Sequence, residues 1–150
     1  MLKIGDVVPK NKFVDNLGNN HSFEDYKGSK IILFFYPRAN TPGCTAQACN
    51  LRDNYEKLIE KGYTIFGVSA DNVLQQNRFS EKYSFQYLLI ADNEKDLINA
   101  FGVWGPKKFQ GREYEGIHRT TFLIDENGII TKVITKVKTK DHTTQILEEV

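Results

Sequence analysis

The stretch "KIILFFYPRANTPGCTAQAC", residues 30–49, decides the fold of this chain. Its opening run is apolar on both faces, which is typical of a central strand that helices cover on both sides. A corner containing Pro37 and Pro42 follows, and each proline stiffens it by fixing its own φ. From Cys44 onward apolar residues recur at helical spacing until Gly62 stops the helix. The residues predicted to share the apolar face of this helix are Leu51, Tyr55, Leu58 and Ile59.

The segment ahead of this stretch has the pattern of a β-hairpin. Two short strands are predicted on either side of a turn at Gly18. Ser22 and Asp25 then form a capping-box pattern, which begins one helical turn that ends near Gly28. An N-terminal hairpin is therefore expected to precede the central strand.

Two further strand–helix units follow the corner. Residues 63–71 form a second buried strand, and Asp71 is the expected N-cap of a helix that runs to about Tyr83. Residues 87–92 form a third strand, followed by a short helix that Gly102 closes. Strands that alternate with helices in this way build a sheet with helices packed on its faces.

A hairpin and a helix complete the pattern. The pair Asn127-Gly128 between two apolar runs predicts the hairpin, and Leu147 and Val150 indicate a C-terminal helix. The whole order predicts an α/β fold with a mixed central sheet, helices on both faces and an N-terminal hairpin. Because no repeat or linker interrupts it, residues 1–150 are expected to form a single domain.

Composition excludes several classes of function. The chain is 40% hydrophobic and 26% charged, with a formal net charge of +1, so nothing favours nucleic acid or an anionic membrane as a partner. The opening "MLKIGDVVPK" has no apolar signal-peptide core, and no apolar run approaches a membrane span. Two cysteines do not make a disulfide scaffold, so a cytoplasmic location is expected. In that compartment a close pair of thiols favours catalytic or redox chemistry.

Cys44 is the first candidate nucleophile. It lies in the first turn of the predicted helix, where free backbone N–H groups and the helix dipole favour an anion and hence the reactive thiolate. Thr41 brings a hydroxyl near the sulfur or near a bound substrate oxygen. The alternative is a small buried apolar side chain, because free cysteine is often buried.

Cys49 follows five residues later, at a spacing that matters. In a regular helix the two Cα atoms lie about 8–9 Å apart, whereas a disulfide needs them within about 7 Å. Either the cysteines never bond, or the helix unwinds when they do. The spacing suits a cycle in which Cys44 is oxidised first and Cys49 resolves it later. The alternative for Cys49 is a core position on the apolar helix face.

At this point the residues resemble those of the peroxiredoxins, specifically the bacterioferritin comigratory protein (peroxiredoxin Q) subfamily. The family motif Pro-x-x-x-Thr-x-x-Cys corresponds to Pro37, Thr41 and Cys44, and "TPGCTAQAC" matches the subfamily's pattern through Cys49. The segment "FGVWGPKKFQGREYEGIHRTTFLID" resembles its second signature, which contains the catalytic arginine at Arg119. The opening segment resembles the family's entry hairpin, so the resemblance covers essentially the whole chain.

The resemblance implies a thioredoxin-like fold and a thiol-dependent peroxidase that needs no metal or bound cofactor. Cys44 would be the peroxidatic cysteine, and Cys49 would resolve its sulfenic acid into an intrachain disulfide. Thr41 and Arg119 would orient the peroxide, with help from backbone N–H groups near Gly43 and Cys44. Thioredoxin or a related dithiol protein would then reduce the disulfide. Subfamily members with an intrachain pair are commonly monomers, so a monomer is expected.

The resemblance also bears on positions that the pattern alone leaves open. Pro37 would shield the thiol, and Gln47 stands where many peroxiredoxins carry glutamate. Without that context Arg119 would be an ordinary solvated strand residue, and His118 beside it is expected to be structural or to face solvent. The three histidines are too far apart in sequence for a zinc site. Phe101 and Trp104 are expected to pack in the core or its loops, and the alternative is that they line the rim of the active-site entrance.

A basic run near the C-terminus is expected to protect an edge strand from pairing with another chain, rather than to bind nucleic acid. Its members are Lys132, Lys136, Lys138 and Lys140.

Two other functions compete with the peroxidase. One is dithiol–disulfide exchange on the same fold, against which the spacing of the cysteines counts. The other is a non-enzymatic module that binds a partner, in which the thiols would show ordinary reactivity.

Overall fold

The computed structural model describes residues 1–149, so Val150 of the predicted C-terminal helix lies outside the described residues. The strands are β1 (Lys12–Val14), β2 (Asn20–Ser22), β3 (Lys30–Phe35), β4 (Tyr63–Ser69), β5 (Leu88–Ala91), β6 (Trp104–Phe109), β7 (Arg112–Ile117), β8 (Thr120–Ile124) and β9 (Ile130–Ile134). The helices are α1 (Pro42–Asp53), α2 (Tyr55–Glu60), α3 (Val73–Tyr83), α4 (Asp96–Phe101) and α5 (His142–Leu147). Two 3₁₀ turns, Phe23–Tyr26 and Thr139–Asp141, complete the elements.

The central sheet has five strands in the order β5-β4-β3-β8-β9. The β3 strand lies in the middle, parallel to β4 and antiparallel to β8. The β4–β5 pair is parallel and the β8–β9 pair antiparallel, so the predicted mixed sheet is confirmed. The N-terminal hairpin β1–β2 is also confirmed.

Apolar side chains of β3 alternate between two layers, as the period of a strand requires. Residues such as Leu33 and Phe35 pack on one face with the 3₁₀ turn Phe23–Tyr26 and α4. Phe34 and Tyr36 pack on the other face with side chains of α1, α2, α3 and α5. The apolar side chains of β3 are buried in both layers. Burial of each large one stabilises the fold by about 1.5–3 kcal/mol. Helices therefore cover both faces of the sheet, as predicted.

The prediction of one continuous helix over residues 44–62 is wrong, because the structure has two helices there. Helix α1 begins two residues earlier, at Pro42, and ends at Asp53; α2 resumes after Asn54. The Asn54 side chain donates a 2.8 Å hydrogen bond to the Asn50 carbonyl, and such side-chain bonds compete with the helical ladder. Ile59, which was predicted to share the apolar face of the helix, is 40% exposed.

The predicted N-cap of α3 is displaced by one residue. Asn72, not Asp71, accepts the Gln75 N–H, and the Gln75 side chain returns to the Asn72 N–H in a full capping box. The Asp71 carboxylate instead accepts hydrogen bonds from the Ser69 hydroxyl and the Ala39 N–H. Asp71 therefore holds the corner that precedes Cys44.

The hairpin β6–β7 was not predicted from the sequence. Gln110 and Gly111 connect its strands, and both have positive φ, at 51° and 80°. A two-residue turn of that kind normally shows Asn-Gly or Asp-Gly, and Gln-Gly gives a weaker signal. Pro106 inside β6 also argues against a strand, although the two-stranded ribbon tolerates it as an edge. By contrast, the hairpin at Asn127-Gly128 forms as predicted.

The remaining local predictions are largely confirmed. Ser22 and Asp25 form the capping box of the first 3₁₀ turn, and Gly102 closes α4 in the left-handed region. Of the basic run only Lys132 lies on the edge strand β9, and the other three lysines follow the strand. No helix within residues 1–149 is long and apolar enough to cross a membrane.

A buried histidine begins α5. His142 is fully buried, and its Nε2 lies 2.8 Å from the Thr121 hydroxyl while its Nδ1 lies 2.9 Å from Gln145 Oε1. Burial lowers the pKa of His142 to about 4, Arg119 adds to the lowering, and Gln145 opposes it. The folded chain therefore holds this ring neutral.

We predict that His142→Gln reduces the loss of stability on acidification. Between pH 6.5 and about 4 the unfolded chain binds a proton that folded His142 refuses, so stability decreases as pH falls through that window. The full effect is on the order of 3 kcal/mol. Urea unfolding of wild type and variant at pH 7, 5.5 and 4 measures the difference between their free energies of unfolding. Other groups with shifted pKa values, such as Asp15 and Asp92, contribute equally to both proteins and do not affect this difference. Parallel pH profiles would contradict the prediction.

Candidate active site

The corner between β3 and α1 is held by hydrogen bonds to the chain at the end of β4. The Asp71 carboxylate accepts the Ala39 N–H at 2.8 Å, and the same oxygen accepts the Ser69 hydroxyl at 2.6 Å. Asn40 adopts a left-handed conformation with φ of 63°, which turns the chain toward the start of α1. These contacts fix the position of the residues that follow.

Cys44 is the third residue of α1 and is only 1% exposed. Thr41 occupies the N-cap with extended backbone, but its side chain does not cap the helix. Its hydroxyl donates instead to the Arg38 carbonyl at 2.9 Å. The first backbone N–H groups of α1, including that of Gly43, therefore have no Thr41 oxygen as partner and remain available to an anion.

Arg119 contacts the thiol directly. It lies immediately before β8, and its Nη2 donates to the Cys44 Sγ at 3.3 Å. A Cβ at position 43 would lie 3.3 Å from the same Nη2, so the glycine there leaves room for the guanidinium group. The structure thus brings Gly43, Cys44 and Arg119 together across 75 residues of chain.

Gln47 orients Arg119 from the next turn of α1. Its Oε1 accepts from Arg119 Nη1 at 2.7 Å, and the whole side chain is buried. The Gln47 Nε2 is buried without a hydrogen-bond partner among the described residues. Cys44 and Gln47 lie on one face of the helix, and each accepts a hydrogen bond from one terminal nitrogen of the Arg119 guanidinium group.

Cys49 lies on the same unbroken helix as Cys44, and both thiols are free. Because α1 is continuous, helix geometry keeps the two Cα atoms about 8–9 Å apart, too far for a disulfide. Cys49 is half-buried, and burial raises its pKa; Arg52 lowers it in part and Asp53 raises it further. The structure therefore does not bring Cys49 into contact with Cys44.

A groove of about 480 Å³ adjoins the corner. Pro37, Trp104 and Tyr114 line it, and so do four charged residues, Arg38, Asp71, Lys107 and Glu115. Phe101 is fully buried in the core as expected, whereas Trp104 is half-exposed and faces this groove. His118 is exposed, in agreement with the expectation.

Lys107 is a charged residue of this region that the sequence did not reveal. Its Nζ donates to the Ile117 carbonyl at 2.9 Å, and its stem passes over Gly116, where a Cβ would lie 3.1 Å from Lys107 Cδ. Burial lowers the pKa of Lys107, Arg119 lowers it further, and Cys44 opposes them. Lys107 belongs to the hairpin β6–β7, which was not predicted. The Gln-Gly turn is the sequence signal that would have indicated this hairpin and hence the position of the lysine.

Within residues 1–149 no group of three or more histidine, cysteine, aspartate or glutamate side chains could hold a metal ion.

Comparison with known proteins assigns this arrangement to a class. The model of the AhpC/TSA family matches residues 4–133. The chain therefore belongs to the AhpC/TSA family and is a peroxiredoxin, an enzyme that reduces peroxides with cysteine thiols.

Individual relatives confirm the resemblance to the bacterioferritin comigratory protein subfamily. Peroxiredoxin Bcp of Escherichia coli (strain K12) is 43% identical over 141 residues, covering 94% of this chain and 90% of that protein. Peroxiredoxin Bcp of Bacillus subtilis (strain 168) is 43% identical over 147 residues, 98% of this chain and 94% of the relative. The bacterioferritin comigratory protein of Xanthomonas campestris, solved in a study of its alkyl peroxide reduction activity, superposes with a TM-score of 0.88 at 28% identity. That match covers 95% of this chain and 96% of the other, so the predicted thioredoxin-like fold is confirmed.

We predict that Gln47→Leu slows oxidation of Cys44 by peroxide about tenfold, since a hydrogen bond to a charged group is worth about 1.5–3 kcal/mol. Leucine removes the oxygen that fixes Arg119 and keeps the position buried. Stopped-flow fluorescence with hydrogen peroxide measures the rate. Gln47→Glu is the control: it retains an acceptor oxygen and should keep most of the rate. Equal rates for wild type and Gln47→Leu would show that Arg119 needs no support from position 47.

Proposed function

We propose that this peroxiredoxin reduces hydrogen peroxide and organic hydroperoxides at Cys44, with Cys49 as the resolving cysteine. The observation that supports the assignment most directly is the 3.3 Å contact between Arg119 Nη2 and the buried Cys44 Sγ at the start of α1. The contact places positive charge beside the sulfur that would act as nucleophile, at a helix start whose dipole also favours negative charge.

In the first step the Cys44 thiolate attacks one peroxide oxygen and the O–O bond breaks. The attacked oxygen keeps its hydrogen and stays on sulfur as the sulfenic acid. The other oxygen leaves as hydroxide or alkoxide and takes a proton from solvent to give water or an alcohol. Negative charge moves from sulfur toward the leaving oxygen, where Arg119 and the Gly43 and Cys44 N–H groups would stabilise it. The Thr41 hydroxyl donates its hydrogen to the Arg38 carbonyl, so its oxygen is free to accept the peroxide O–H.

In the second step the Cys49 thiol attacks the Cys44 sulfenic acid. The S–S bond forms, the S–O bond breaks, and water leaves. Because α1 holds the two cysteines too far apart, this step requires part of α1 to unwind. Thioredoxin or a similar dithiol protein then exchanges with the disulfide and returns both thiols to the reduced state.

Organic hydroperoxides are included because of the groove beside the corner. Its lining is mixed: Pro37, Trp104 and Tyr114 supply apolar and aromatic surface that suits the carbon chain of a substrate, beside charged residues such as Arg38 and Glu115. The X. campestris relative, which was studied for alkyl peroxide reduction, supports the same class of substrate.

The setting of the enzyme follows from its cycle. We infer a cytoplasmic protein, because thiols that must be re-reduced at each turnover belong in a reducing compartment. We also infer a monomer, since both cysteines of the cycle lie on one chain, and a single domain over residues 1–150. The single domain is supported by the packing of both apolar layers on the same five-stranded sheet. No metal or bound cofactor enters any step.

Dithiol exchange is the weaker candidate. A protein of that kind needs a pair of thiols that form and break a disulfide without rebuilding a helix, and Cys44 and Cys49 lack this geometry. A partner-binding module would gain nothing from a guanidinium group placed on a buried thiol.

The test is the intact mass of the reduced protein before and after one equivalent of hydrogen peroxide, without reductant. We expect a loss of two hydrogens that peptide mapping assigns to a Cys44–Cys49 link within one chain. Oxygen added to Cys44 alone would move the resolving thiol outside this chain. An unchanged mass would overturn the peroxidase assignment of Cys44.

We predict that Cys49→Ser separates the two steps. Cys44 still reacts with one equivalent of peroxide, because its contacts with Arg119 and the helix start are untouched. Thioredoxin-linked consumption of NADPH stops, since no intrachain disulfide forms. Cys44→Ser is the matched control and should lose both activities. Full thioredoxin-linked turnover in Cys49→Ser would rule out Cys49 as the resolving residue.

A further inference from the structure

The second half of α1 is fastened to the C-terminal segment, which we define as residues 139–147: the 3₁₀ turn Thr139–Asp141 and α5. Asn50 forms this connection. Its Oδ1 accepts the Thr143 N–H at 2.8 Å, and its Nδ2 donates to the Lys140 carbonyl at 3.1 Å. The Asn50 carbonyl also accepts from the Thr143 hydroxyl at 3.3 Å. One asparagine thus makes three hydrogen bonds to one segment more than 85 residues away.

Asn50 follows Cys49 directly, and the residue on the other side of Cys49 is also held. The buried Tyr87 donates its hydroxyl hydrogen to the Ala48 carbonyl at 2.7 Å. Both chain neighbours of Cys49 are therefore bonded to other parts of the fold. Cys49 cannot move toward Cys44 by more than a side-chain rotation unless at least one of these contacts opens.

The first half of α1 is held in a different way. Among residues 1–149, the polar side-chain contacts that it makes with the rest of the fold are those of Cys44 and Gln47 with Arg119. One of them involves the sulfur that peroxide oxidises. Oxidation therefore changes a contact of the first half and leaves every contact of Asn50 intact.

We propose that Asn50 is a positioning residue for the resolving step, because its bonds to the C-terminal segment keep Cys49 away from Cys44 and limit the rate of disulfide formation. The proposal rests on the assignment of Cys49 as the resolving cysteine. Its consequence is a longer lifetime for the Cys44 sulfenic acid. During that time a second peroxide can oxidise it to the sulfinic acid, transferring one oxygen to sulfur and releasing water or an alcohol.

The test separates the two steps kinetically in Asn50→Ser. Serine has a helix propensity similar to that of asparagine but is too short to keep both side-chain bonds, so the change isolates the connection. We expect disulfide formation to become about fivefold faster, because one net hydrogen bond is lost. Stopped-flow fluorescence after addition of one equivalent of hydrogen peroxide measures this rate. Oxidation of Cys44, measured in the Cys49→Ser background, should keep its rate. Sulfinic acid formed under excess peroxide, read by intact mass, should decrease.

Two further variants make the test specific. Thr143→Val keeps its N–H and its shape but loses the hydroxyl bond to Asn50, and should give a smaller acceleration in the same direction. Asn99→Ser makes the same change on an exposed position of α4, on the opposite face of the sheet, and should change neither step.

An unchanged rate of disulfide formation in Asn50→Ser would overturn the proposal, and so would equal changes in both steps, which would indicate general loosening. If wild type forms no Cys44–Cys49 disulfide at all, the proposed role of Cys49 fails instead. The wild-type mass measurement distinguishes that case before any variant is made.

Discussion

The contact between Arg119 and Cys44 is the interaction on which the site depends. It joins the end of the β6–β7 hairpin to the first turn of α1, and each of those elements is placed by the central sheet. A buried sulfur beside a guanidinium group is costly to assemble unless both partners are held, because each loses hydration. Gln47 meets that requirement by binding the second terminal nitrogen, and the glycine at position 43 by leaving space. The site is therefore built from one helix turn and one arginine, with the rest of the fold as support.

Much of the fold could be predicted from the sequence because its signals are local. The apolar run of β3, the Asn127-Gly128 turn and the Ser22–Asp25 capping box each depend on residues close together in the chain. The failures also have physical causes. Asn54 interrupts the long helix through a side-chain hydrogen bond, which the spacing of apolar residues does not reveal. The hairpin turn at residues 110–111 has Gln110 where Asn or Asp is usual at positive φ.

The candidate site was predictable only in part. Cys44, Thr41 and Cys49 lie in one short stretch, so helix geometry alone set their spacing. Arg119 came from a resemblance, since nothing in an isolated strand residue indicates a thiol 75 residues away. Lys107 was missed because its position depends on a hairpin that had not been predicted. The Asn50 contacts were missed because they span the chain from α1 to α5.

In the proposed cycle, helix α1 has to serve two opposed requirements. Its first turn must stay folded for Cys44 to receive Arg119 and the backbone N–H groups, yet the helix must open for Cys49 to reach the oxidised sulfur. Burial raises the pKa of Cys49, so in the folded helix this thiol is both distant and poorly ionised. Opening the helix removes the first obstacle, because Cys49 can then approach Cys44. In the proposed cycle, resolution is controlled by the stability of this helix segment. Its contacts run to the C-terminal segment, to Tyr87 and, through Arg52, to the Tyr83 carbonyl.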